Sequence, residues 1–391
     1  MSDPGILTAG SVSVATARPV APAVGQGIEV VATTAGLAAL RPEWDAFFAR
    51  AGLPQQVFQS HAFLTHWARH YLEPGMTPHV VVARRDGRIV MLWPLVLRRR
   101  FGVCVLQVMG APVAQFGDVL AEPGIDAEVV AAAWSALDRS GADLFLAQKI
   151  RADSALLGIQ APRRPVLLSQ SQAPFADLAG RVGSDGPGTA YPARERSAYR
   201  RRLRRLAELG EIALRSLPPG EAAGLARQAV AFKRDWLKRN AILSPTMSDP
   251  RFVAFFEDCA ADPDSALRIS TIERDGRPIG IDLSFDCKGS SFGHVIASDP
   301  DCEREGIGSI LIHHVFATAR QRGSATFDML APADPYKLRH ADGETGVQDL
   351  AYVFTPRGRL YCEAVLKRAR PLARDFAKKL PAGLVRRLGS G

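Results

Sequence analysis

Cysteine is scarce. The five in this 391-residue chain, Cys104, Cys259, Cys287, Cys302 and Cys362, form no C-x-x-C pair and have no histidine at metal-ligand spacing. That excludes a disulfide framework and a structural zinc site, and it fits a reducing cytoplasm. Long apolar runs are also missing: nothing reaches about eighteen uninterrupted apolar residues, so no membrane-spanning helix is expected. Residues 1–27 lack the basic opening and apolar run of a signal peptide; rich in Ala, Val, Pro, Gly and Ser, they read as a disordered leader. Acidic charge falls short of basic, 40 residues against 49, and the net charge of +9 favours nucleotides, nucleic acid or anionic lipid heads without choosing among them.

What is present is a repeated order of elements. From Ile28 the pattern predicts a strand, two helices, a hairpin turning at Asp86-Gly87, a further strand, a helix over 127–141 and a strand over 142–150. After a Pro/Gly/Ser-rich passage ending near Tyr191 comes an arginine-rich helix. A strand, two helices and a hairpin turning at Asp275-Gly276 then follow. Asp-Gly is a strong short-range hairpin signal. The tetrapeptide Arg-Asp-Gly-Arg stands at both turns, 85–88 and 274–277, at the same point in the same order, which implies an internal duplication. The expected division is an α/β domain over 28–175, a second over 190–365 and a basic amphipathic tail over 366–391.

The stretch 299–330, DPDCEREGIGSILIHHVFATARQRGSATFDML, carries the chemistry. Gly306 and Gly308 precede an apolar pattern of helical period at Ile310, Leu311, Val315, Phe316 and Ala319. Gly323 ends this helix and a short strand follows, so a glycine loop opens a helix between two strands. Unpaired backbone N–H groups at the positive end of a helix dipole, with no side chains in the way, suit a phosphate or pyrophosphate. No Lys-Ser or Lys-Thr follows the second glycine, which excludes a P-loop, and the third glycine of a Rossmann fingerprint is missing. The first half, with APVAQFGDVLAEPG at the corresponding point, has no such loop.

This loop resembles the pyrophosphate loop of the GNAT acyltransferases: arginine or glutamine, two residues, glycine, any residue, glycine. Here the pattern falls on Glu303, Gly306 and Gly308, with Arg304 adjacent to the position of the missing cation. With FDML and the Tyr336-Lys337 pair after it, the chain from Ile28 to Lys367 resembles the tandem-GNAT acyltransferases of bacterial cellulose and exopolysaccharide biosynthesis. That family is related to the peptidoglycan aminoacyl transferases of the FemABX type. The resemblance implies two tandem GNAT-like domains, each a mixed, mostly antiparallel sheet flanked by helices. It implies acetyl coenzyme A as acyl donor, held by Arg304, Gly306, Ile307, Gly308 and Ser309, and as acceptor an amine on an envelope polysaccharide precursor, free or lipid-linked.

Acyl transfer from a thioester needs a free amine, donors for the developing oxyanion and a proton for the departing thiolate. The candidates for proton handling are Asp328, Tyr336 and His294; Lys337 would neutralise charge, as the matching lysine does in FemABX-like enzymes. Gln115 and Asp118, in the first-half loop, would face substrate across the cleft between domains. Two basic segments, the helix with Arg200, Arg201 and Arg204 and the C-terminal tail, offer an anionic membrane surface or a regulatory nucleotide such as cyclic di-GMP a place to bind. No aromatic interleaving or reading motif supports nucleic acid. An aminoacyl-tRNA-dependent transferase and a non-catalytic nucleotide-binding effector stand as the alternatives.

Overall fold

The computed structural model describes residues 26–100, 102–184, 186–220 and 222–378, so the leader expected over 1–27 lies almost wholly outside the described residues, as does the end of the tail. The first half runs β1 (Gln26–Val31), α1 (Arg41–Ala51), α2 (His61–Tyr71), β2 (Met76–Arg85), β3 (Arg88–Arg100), β4 (Val103–Val108), α3 (Ala127–Asp138), β5 (Leu144–Arg151) and β6 (Val166–Asp177). A linker carries the basic helix α4 (Ala193–Ala207). The second half runs β7 (Ile212–Leu217), α5 (Ala223–Arg239), α6 (Pro250–Ala261), β8 (Leu267–Arg274), β9 (Arg277–Cys287), β10 (Ser290–Ser298), α7 (Ile307–Gln321), β11 (Thr326–Asp328), α8 (Pro335–His340) and β12 (Gly343–Val353).

All twelve strands join one sheet in the order β1-β2-β3-β4-β5-β12-β6-β11-β10-β9-β8-β7, with the two-residue strand Leu120–Ala121 beside β3. The order is symmetric about its middle. Only β4 with β5 and β10 with β11 run parallel, one such pair in each half. The last strand of each half crosses over: β6 pairs with β11 of the second half, β12 pairs with β5 of the first, and the two pair with each other. The backbone ladder is therefore continuous across the junction.

The duplication extends to side chains. Asp86 and Gly87 have φ of 50° and 76°, Asp275 and Gly276 of 52° and 74°, the left-handed pair that a two-residue hairpin turn requires. The first arginine of each tetrapeptide then pairs with an acid at the start of the equivalent helix: Arg85 with Asp126 before α3, and Arg274 with Glu305 before α7, at 3.0 Å.

The periodic apolar residues of α7 are buried as their spacing predicts. The largest cluster draws on both halves: Phe58 lies 5.9 Å from Phe285, and Phe63 5.4 Å from it. Such aromatic burial dominates core energetics, and here it ties the halves into one body.

Candidate active site

The glycine loop is built as its sequence suggests. A 3-10 turn over Pro300–Glu305 leads to Gly306, which caps α7 at φ 73° in the left-handed region. Arg274 and Arg277 hold the loop from the hairpin by pairing with Glu305 and Asp299, the latter at 3.1 Å. Ile307 is buried, while Gly308 has open space where a Cβ would stand. Arg304 is exposed.

A cavity of about 1040 Å³ opens beside this loop. Its walls are α4, the face of α5 with Lys233 and Trp236, the end of β10 at Ile296–Ser298, the α7 residues Gly308, Ser309, Ile312 and His313, and Tyr336, Arg339 and His340 of α8. It lies where the sheet opens. β10 matches β11 at Ser290, Ser291 and Phe292, where β11 ends, so the cavity-side edge of β10 runs on to Ser298 without it. Five cations, Arg194, Arg201, Arg202, Lys233 and Arg339, face one carboxylate, Glu195, across its lining. The N-terminus of α7 adds its own positive potential. An anionic ligand is the natural occupant.

The basic helix and the glycine loop, far apart in sequence, meet here. Arg202 donates to Ser309 Oγ at 3.1 Å, and its Cδ would lie 3.1 Å from a Cβ on Gly306. A guanidinium thus covers the loop whose sequence pattern carries Glu303 where a cation is usual. Charge-assisted hydrogen bonds contribute about 1.5–3 kcal/mol each. Arg202→Ala should accordingly weaken binding of a phosphate-bearing ligand at this loop about tenfold to a hundredfold by calorimetry, whereas Arg200→Ala, on an exposed residue outside the cavity lining, should leave it unchanged.

Two further lining groups carried no signal in the sequence. His340 Nδ1 lies 2.7 Å from the Tyr191 hydroxyl, and His313 meets Tyr191 and Tyr199 edge-on at 4.7 and 5.2 Å. Burial pushes both histidines down, His340 to about 4 and His313 to about 3, so both are neutral rings near pH 7. They dock the linker onto α7 and α8.

Of the expected site residues, Gly308, Ser309 and Tyr336 line the cavity. Tyr336 is 43% exposed, and burial of its hydroxyl, reinforced by Asp334, raises its pKa so that it stays protonated. The others are placed differently. Lys337 turns inward: Nζ donates to Leu330 O and Pro332 O, each at 2.9 Å, and faces Asp334 at 3.5 Å, which engages all three of its donors. Asp328 is buried against Arg151 and accepts from Leu330 N–H at 2.7 Å. His294 is enclosed among phenylalanines, its Nε2 donating to Val113 O at 2.6 Å, and burial pushes it down to about 4.

Gln115 sits 3.1 Å from that ring and accepts from Lys149 Nζ at 3.1 Å. Asp118, expected to face substrate, is 1% exposed; its carboxylate accepts from Gln56 Nε2 and from Val119, Ala155 and Leu156 N–H. It closes a loop. These five residues knit the halves or their loops together, because a buried polar group is held by whatever partners burial leaves it. No group of residues among those described could hold a metal ion, and no described helix is long and apolar enough to cross a membrane.

The arrangement of two parallel strands joined by a glycine-opened helix has known counterparts. Residues 193–338 match the family model for the acetyltransferase (GNAT) domain. The fold is GNAT-like. Among solved structures, FemX superposes with a TM-score of 0.59 at 12% identity, over 83% of this chain and 98% of that one. A conserved protein of unknown function from Bacteroides thetaiotaomicron gives 0.55 at 12%, over 83% and 100%. L-PGS from Bacillus licheniformis gives 0.51 at 14%, over 85% and 96%. These likenesses span both halves, and at such identities they concern the fold. No curated protein matches the chain.

Proposed function

We propose that this chain is an N-acyltransferase that takes its acyl group from a coenzyme A thioester bound in the cavity beside Gly308. The observation that carries this reading is the cationic cavity beside the stretch of β10 that runs on past the end of β11, with the N-terminus of α7 at one wall. Its volume is at the upper end of the roughly 300–1,000 Å³ usual for small-molecule sites. The residues fit the donor: Gly308 leaves the first turn of α7 open to close approach, and Arg201 and Arg202 supply countercharge for phosphates. The donor supplies the acyl group. The acceptor amine attacks the thioester carbonyl, the C–N bond forms, the C–S bond breaks, and the proton that the amine sheds returns through solvent to replace the one Tyr336 gives up. Backbone N–H groups at the free edge of β10 serve the oxyanion, and Tyr336 gives its proton to the thiolate. As acceptor, the sequence resemblance favours an amino sugar of an envelope or exopolysaccharide precursor.

Two measurements test this. Calorimetric titration of acetyl coenzyme A should show binding, and its absence in folded protein would remove the donor assignment. Tyr336→Phe should lower kcat about 10²-fold or more with KM little changed, the signature of a lost proton donor. A second reading is favoured by the FemX likeness together with the arginine-rich α4: a FemABX-like transferase drawing on aminoacyl-tRNA. Activity abolished by ribonuclease, in protein that ignores acetyl coenzyme A, would decide for it.

A further inference from the structure

The described residues close in a helical run from Pro356 to Lys378 whose two ends meet different surroundings. The first turns are fastened to the first half. Thr355 Oγ1 donates to Asp143 Oδ1 at 2.6 Å, a Cβ on Gly358 would stand 2.0 Å from Asp143 O, and Cys362 and Leu366 are buried against Val105 and Leu144. Beyond Leu366 the run leaves the body. Leu372 and Phe376, one helical turn apart and so on one face, are 68% and 69% exposed. Around them the charge is one-sided: residues 357–378 hold seven basic and two acidic side chains, and one of those acids, Glu363, is paired with Lys367 at 3.1 Å.

We propose that this terminal helix docks on an anionic lipid surface, with Leu372 and Phe376 entering the headgroup boundary and the flanking Arg368 and Arg370 meeting acidic headgroups. Helices in proteins draw most of their stability from packing of an apolar face, and Leu372 and Phe376 have no such packing among the described residues. A second copy of this chain would bring the same excess of positive charge against it. An anionic bilayer surface satisfies the apolar pair and the cations at once. With only two large apolar side chains inserted, charge must contribute much of the binding, so adsorption should be screened by salt.

The test is co-sedimentation of the full chain with vesicles of phosphatidylcholine alone and of phosphatidylcholine with about 30% phosphatidylglycerol. Expected is binding to the second set only, weakened at least about tenfold by 0.5 M salt. Leu372→Ser/Phe376→Ser should lose at least about fivefold while acetyl coenzyme A titration stays that of the parent, which shows the variant folded. Equal binding to both vesicle sets, no binding to either, or anionic binding that survives the double substitution would overturn the proposal. So would a dimer in sedimentation velocity that the substitution dissociates, because the apolar face would then belong to a second copy.

Discussion

Gly308→Trp abolishes binding of acetyl coenzyme A and leaves the protein as stable as its parent. Both halves of that expectation come from one geometric fact: a Cβ at residue 308 meets no atom within 4 Å, and the residue lines the cavity. An indole there points into the volume the donor needs and displaces nothing that the fold needs. Because Gly308 lies in the first turn of α7 with helical backbone, replacing it also removes a residue that costs a helix about 0.5–1 kcal/mol relative to alanine, so the melting temperature should hold or rise slightly. Gly308→Ala separates crowding from exclusion, since a methyl group hinders the close approach of a phosphate without filling the cavity; its affinity should fall between the other two. Gly306 offers no such clean experiment. Its φ of 73° and the nearby Arg202 mean that any side chain there strains the loop. Parental affinity in a folded Gly308→Trp protein would place the donor elsewhere.

The glycine loop was legible because everything that makes it is local: two glycines, an apolar stripe of helical period, and a terminating glycine within 25 residues of one another. The hairpins were legible for the same reason, each resting on one Asp-Gly dipeptide. The exchange of β6 and β12 left no such mark. Strand pairing between remote segments alters neither periodicity nor turn chemistry, and a strand buried in its own half looks like one buried in the other. Arg202 was hidden in a different way. Its helix was plainly basic, but the meeting with Ser309 spans 107 positions, and an arginine-rich helix reads equally as a solvated face, a membrane anchor or a nucleotide clamp.

Asp118, Lys337 and His294 show the opposite hazard. Residue type marked them for chemistry, yet type does not reveal burial, and burial decides whether a carboxylate or an ammonium is free to act. Asp118 accepts from four donors and Lys337 gives to three acceptors, which leaves neither with capacity for a substrate.

Asp328 is the case where stability and catalysis can be told apart by experiment. Its carboxylate, on β11 of the second half, pairs with the Arg151 guanidinium at the end of β5 of the first, across the two exchanged strands; their side chains are 6% and 11% exposed. Arg151 also bonds to Asp153 at 2.8 Å and lies 4.9 Å over the Phe116 ring. Removing one partner of a buried pair leaves the other charge without compensation, at a cost of about 3–5 kcal/mol. Arg151→Met, which strands the Asp328 carboxylate, should therefore lower the urea midpoint substantially, and Asp328→Leu, which leaves Arg151 with Asp153 as a partner, should lower it less. The double substitution should cost clearly less than their sum, since neither charge is then stranded and Asp153, 54% exposed, rehydrates. What remains is the Leu330 N–H that loses its acceptor, about 1–3 kcal/mol. Asp328→Asn keeps the shape and removes the charge. If the residue is a bridge between halves, that variant is destabilised while its turnover per folded molecule stays well short of the roughly 10²–10⁴-fold loss that follows removal of a proton carrier. An unchanged midpoint with a loss of that size would return Asp328 to the reaction and take the bridge away.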